Sequence, residues 1–101
     1  MDGSDFSGPL TFAEYAVRHY GKASQVEKSI EELRELDEAL TRYLGAACPP
    51  PGTRGYSAVV DEIADVLIMA IQLRVIFGGN EIDKRVRFKI DRQLRRMRGE
   101  A

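Results

Sequence analysis

The chain has no tryptophan, one histidine and one cysteine among its 101 residues, and its formal net charge is only −1. Each scarcity removes a class of function. His19 has no acidic residue three positions before it, so the Glu-x-x-His pairs of di-iron helix bundles are missing. Cys48 alone cannot form an internal disulfide, which fits a reducing compartment, and no basic-then-apolar leader opens the chain; a cytoplasmic protein is expected. The most apolar run, Ile63 to Phe77, is too short to span a bilayer and is interrupted by Asp65, Gln72 and Arg74. Gly78-Gly79-Asn80 lacks the strand and the Lys-Ser/Thr of a phosphate-binding loop. Near-neutral net charge argues against general nucleic-acid affinity, so nucleic acid is not the expected partner, and neither is a membrane.

What the chain does have is charge, 31% of residues, unevenly laid out. Residues 27–38 carry six acids and two bases, whereas residues 84–98 carry eight bases and one acid. β-branched alternation is absent and glycine and proline fall between periodic segments, which predicts an all-α fold of four helices. Residues 1–10 read as a loose, small and polar tail, followed by a single helical domain over 11–98. Thr11 with Glu14 and Ser24 with Glu27 resemble capping boxes for the first two helices, ending near Tyr20 and Leu44. The segment 46–56 contains three consecutive prolines and predicts a stiff polyproline connection. Ser57 is expected to cap the third helix and Asn80 the fourth. On the second helix, Val26, Ile30, Leu33, Leu36, Leu40 and Leu44 form an apolar stripe that predicts the buried face.

Two carboxylate pairs at one-turn spacing stand out, Glu32 with Glu35 and Glu62 with Asp65. The motif ExxE alone is common on solvated helix faces. The second pair is different, because it opens the most apolar stretch and shares a face with Ala58, Met69, Leu73 and Ile76. Carboxylates drawn inward must take up a proton or find positive charge, and four of them converging repel strongly unless a cation bridges them. Oxygen-only ligands select a hard ion, Mg²⁺ first and Mn²⁺ as a substitute.

The arrangement Glu31-Glu32-Leu33-Arg34-Glu35, a spacer of 26 residues, then Glu62-Ile63-Ala64-Asp65, resembles the EExxE…ExxD signature of the MazG-like all-α nucleoside triphosphate pyrophosphohydrolases. The flanking HYGKASQVEKSIEELREL and DEIADVLIMAIQL are similar to the small, phage-type or bacterial members, over roughly residues 19 to 96. The resemblance implies a four-helix MazG-like bundle that is oligomeric, a homodimer or homotetramer. It implies Mg²⁺ held by Glu32, Glu35, Glu62 and Asp65, with Glu31 on the solvent side. It also implies cleavage of an NTP or dNTP at the α-phosphate to the nucleoside monophosphate and pyrophosphate. Glu35 is assigned as the carboxylate that orients the attacking water as base.

The basic fourth helix offers the complement of a triphosphate. Arg85, Lys89, Arg92 and Arg96 form a row beside the apolar Ile82, Val86, Ile90 and Met97, and Lys89 with Arg92 resembles the phosphate-side pair of the family. Gln25 and Lys28 share a side of the second helix with Glu32 and Glu35, within reach of a base or phosphate. Tyr43, Tyr56 and Phe88 are candidates for stacking on a base. The competing reading is a non-catalytic helical adaptor or nucleic-acid-binding module built on the basic helix, its acids forming a structural network with arginine.

Overall fold

Proline at the first position of a helix sacrifices no hydrogen bond and brings a helical φ, and Pro9 holds that position in α1, Pro9–Tyr20. The computed structural model describes residues 8–99, which form four α-helices and no strand. After α1 come α2 (Lys22–Gly45), α3 (Arg54–Phe77) and α4 (Gly79–Met97). The all-α expectation is met. Of the expected tail, residues 1–7 lie outside the described residues, and Pro9 and Leu10 already belong to α1.

The helix starts differ from those the capping patterns predict. Gly21, at φ 92°, serves both neighbours: its N–H donates to Val17 O at 2.8 Å and its carbonyl accepts from Gln25 N at 3.1 Å. One residue thus ends α1 and begins α2, and Ser24 is left inside the second helix. Thr53 rather than Ser57 caps α3, accepting from Tyr56 N at 3.4 Å while its hydroxyl donates to Pro50 O at 2.8 Å. Arg54 to Tyr56, expected in the stiff connection, are therefore helical. Neither Thr11 nor Asn80 caps its helix; Gly8 and Gly78 stand at those positions without side-chain bonds.

α3 is the hub: α1 and α2 pack on it, and α4 meets α3 alone among the described helices. α1 buries Ala13, Ala16 and Val17, small side chains that let its backbone approach closely. α2 turns an unexpected face inward. The buried residues are Gln25, Ser29, Glu32 and Ala39, whereas Ile30, Leu33, Leu40 and Leu44 of the apolar stripe are exposed. At about 100° per residue the buried row is rotated by roughly a quarter-turn from that stripe. On α3, Val60, Ile63 and Leu67 make a second outward apolar row.

The α3–α4 corner is set by two glycines and an ion pair. Gly78 adopts φ 97°, a left-handed region that costs a side chain roughly 1–2 kcal/mol. Gly79 lies under Arg74, where a Cβ would come within 2.8 Å of the guanidinium Nη2. The same guanidinium grips Asp83 through both carboxylate oxygens. Beyond that corner no residue of α4 is buried. Arg74 holds the Asp83 carboxyl below its ordinary value of 3.8. A lowered folded-state value means that the pair's contribution is present above the unfolded value and is lost as pH falls through the folded one. Asp83→Asn should thus lower the melting temperature near pH 6, and only slightly, because the pair is open to solvent. The deficit should shrink in melts run below pH 3.8, the ordinary value of the carboxyl.

Candidate functional site

The rotation of α2 is what brings the two acidic pairs together. With Gln25, Ser29, Glu32 and Ala39 turned toward its neighbours, Glu35 follows Glu32 one turn later and meets the pair from α3. One oxygen from each of Glu32, Glu35, Glu62 and Asp65 lies within 4.8 Å of the others. Their burial is graded: Glu32 is buried, Glu35 and Glu62 are half-buried, and Asp65 is exposed. The expectation that Glu62 and Asp65 both point inward holds only in part, because Asp65 opens onto a cleft. Ala58, assigned to the same inward face, is exposed, while Met69 is buried.

Charge in this cluster is unevenly compensated. Lys28 Nζ sits 3.2 Å from Glu32 Oε1 and 3.4 Å from Glu31 Oε1, and those two carboxylates raise the lysine's proton affinity. The other oxygen of Glu32, Oε2, is buried and accepts no hydrogen bond, and the same is true of Glu62 Oε2. Buried carboxylate oxygens without donors are expensive, at about 1–3 kcal/mol or more each. Glu35 carries the consequence. The charge of Glu32 foremost, then partial desolvation and the charge of Glu62, push its carboxyl above the ordinary 4.5.

The donor set fits a hard divalent cation. A six-coordinate Mg²⁺ with bonds of about 2.0–2.1 Å spaces its ligand oxygens by roughly 3 to 4.2 Å, inside the 4.8 Å within which the four oxygens lie. The orphaned oxygens of Glu32 and Glu62 are where such an ion would supply the missing partner. Zinc would ask for nitrogen or sulfur, which this cluster does not offer.

Beside the carboxylates lies a cleft of about 590 Å³ between α1, α2 and α3, large enough for a nucleotide. Glu32 and Asp65 line it, as do Gln25 and Lys28, the two α2 residues singled out from the sequence. Gln72 was not anticipated. It lies two turns beyond Asp65 on the same face, is 2% exposed, and accepts a hydrogen bond from Gln25 Nε2. Phe12 and Tyr20 of α1 supply aromatic walls instead of the expected aromatics. Tyr43 and Tyr56 pack on each other with ring centroids 6.4 Å apart, and Phe88 is covered by Arg85 and Arg92 on its own helix. Lys89 and Arg92 are exposed on α4 and do not line the cleft within one chain. His19 stacks on Tyr15 with centroids 5.7 Å apart and takes no part in the cluster.

Comparison with protein families, curated proteins and solved structures gives no match for this chain. The chemistry of the site therefore rests on its residues.

A raised carboxyl value has the opposite sign from that of Asp83. Glu35 binds its proton more tightly folded than unfolded, so the metal-free protein should lose stability as pH rises above 4.5, the ordinary value. Glu35→Gln should raise the metal-free melting temperature at neutral pH and flatten that slope. In the parent chain, millimolar Mg²⁺ should raise the melting temperature, and the variant should show a smaller rise. Calorimetric melts with chelator and with Mg²⁺ read both effects.

Proposed function

We propose that the chain is a Mg²⁺-dependent nucleoside triphosphate pyrophosphohydrolase of MazG-like type. The observation that carries this reading is the buried, unpartnered Glu32 Oε2 within four converging carboxylates at the mouth of a nucleotide-sized cleft. An adaptor has no use for an uncompensated buried carboxylate oxygen. The family resemblance of EExxE and ExxD points the same way.

The roles follow from charge. Glu32, Glu35, Glu62 and Asp65 would hold Mg²⁺, which would supply the positive charge to offset repulsion between carboxylates and phosphates and to acidify the attacking water. Glu35, one turn beyond Glu32 and facing the pair from α3, is the carboxylate assigned to orient that water as base. Water adds at the α-phosphorus, the bond to the bridging oxygen breaks, and pyrophosphate leaves. Lys28, held at the rim by Glu31 and Glu32, is placed to exchange a carboxylate for a phosphate oxygen.

The same reading includes association of identical chains. Val86, Ile90, Leu94 and Met97 of α4 are all exposed, as are Ile30, Leu33, Leu40 and Leu44 of α2. Monomeric proteins seldom leave such continuous apolar rows in water. The α4 row is flanked by bases and the α2 row by acids, so the two faces suit each other in charge as well as in polarity. In a homodimer or homotetramer built this way, Lys89 and Arg92 would approach the phosphates bound by another copy.

Two measurements test the proposal. A panel of NTPs and dNTPs incubated with and without Mg²⁺, with products separated, should yield monophosphate and pyrophosphate only with the metal. Glu62→Gln and Asp65→Asn should reduce kcat by about a hundredfold or more while helicity is retained. Release of orthophosphate, or full turnover in chelator, would count against the assignment. Ile90→Glu should reduce the sedimenting mass to that of one chain without loss of helicity, and an unchanged mass would remove α4 from the interface.

A further inference from the structure

Of the residues that line the cleft, four are acids and one is a cation, Lys28. Its ammonium lies 3.2 Å from Glu32 Oε1 and 3.4 Å from Glu31 Oε1. Among the described residues no other cation pairs with any of the four clustered carboxylates. The two partners of Lys28 differ in kind. Glu31 is open to water, whereas Glu32 is 7% exposed and belongs to the cluster. The oxygens of Glu32 are unlike as well: Oε1 holds Lys28, and Oε2 is buried with no donor.

One carboxylate thus meets two claims. A cation seated among the four acids takes an oxygen of Glu32, and the lysine ammonium already draws on the negative charge of the same group. Two positive charges on one carboxylate repel each other at close range, and the burial of Glu32 makes that repulsion stronger than it would be in open water. The lysine cannot leave altogether, because it is tethered one turn earlier on α2, at i, i+4 from Glu32. It can withdraw, since its side chain is 48% exposed and Glu31 offers a second hold outside the cluster. In the empty site, by contrast, its charge offsets part of the repulsion among the acids.

We propose that Lys28 is a tethered competitor for the metal: it occupies Glu32 while the site is empty, and its charge weakens the hold of the site on a divalent cation. This deepens the hydrolase reading and rests on its metal site. The two effects of the lysine carry opposite signs. Lys28 stabilises the metal-free protein and lowers its affinity for metal, so removing it exchanges one for the other. During turnover the metal is held tightly only once another anion draws the lysine from Glu32. The phosphate chain of a nucleotide is such an anion, and by linkage each ligand then favours the binding of the other. The site holds metal loosely until nucleotide arrives.

The test is calorimetric titration of the nucleotide-free protein with Mg²⁺ and with Mn²⁺, alongside melts in chelator. Lys28→Met keeps an unbranched side chain and removes the charge. It should bind either metal about threefold to tenfold more tightly than the parent at low salt, a gain that shrinks as salt rises. In chelator the same variant should melt below the parent, and the rise in its melting temperature on adding Mg²⁺ should exceed the parent's. A lysine that merely supported the helix would lower the melting temperature and leave metal affinity as it was. Lys28→Gln gives the same reading should methionine disturb the fold. Lys28→Arg, which keeps the charge, should stay within about twofold of the parent. Lys22→Met removes a charge from the first residue of the same helix, outside the cleft, and should do the same, which separates a local contact from net charge. Equal or weaker metal binding by folded Lys28→Met, or an equal gain in Lys22→Met, overturns the inference and leaves the hydrolase intact. Tighter metal in Lys28→Met, with no nucleotide turned over by the parent, would support the competition and reject the hydrolase. No metal bound by either the parent or Lys28→Met would reject both.

Discussion

Repulsion among four carboxylates is the constraint on which the rest of this molecule turns. Their oxygens lie within 4.8 Å of one another, and two of those groups hold a buried oxygen with no donor. Nothing in the cluster relieves this fully, since Lys28 reaches only Glu31 and Glu32 and is itself exposed. Packing of α2 on α3 must therefore hold the acids together against their own field. The packing does so with small and polar groups: Ser29 and Ala39 permit close approach, and the Gln25–Gln72 bond ties the helices across the seam. A seam with these properties has lower stability than an apolar one would give.

The same constraint explains why the apolar rows face outward. A helix has one narrow face to give to each neighbour, and α2 gives its face to the site. Leu33, Leu40 and Leu44 are then left about a quarter-turn away and largely exposed. α4, tethered at Gly78-Gly79 and by Arg74–Asp83, extends without covering them. The proposed function reads these exposed faces, opposite in charge, as the place of a second copy of the chain.

Much of this was legible in the residues. Four helices, their order and the acidic pairs follow from periodicity and spacing, because 3.6-residue geometry turns ExxE and ExxD into one-face pairs wherever the segment is helical. Gln25 and Lys28 follow from the same wheel. The buried face of α2 does not. Hydrophobic periodicity reports which face leaves water, not what covers it, and in a chain with exposed apolar rows the two questions separate. The helix starts were misplaced for a related reason: Ser24 and Ser57 have capping chemistry, but Gly21 and Thr53 come earlier and terminate the preceding backbone. Gln72 left a usable signal, a lone amide in the most apolar run at two turns from Asp65, of the same kind that marked Glu62.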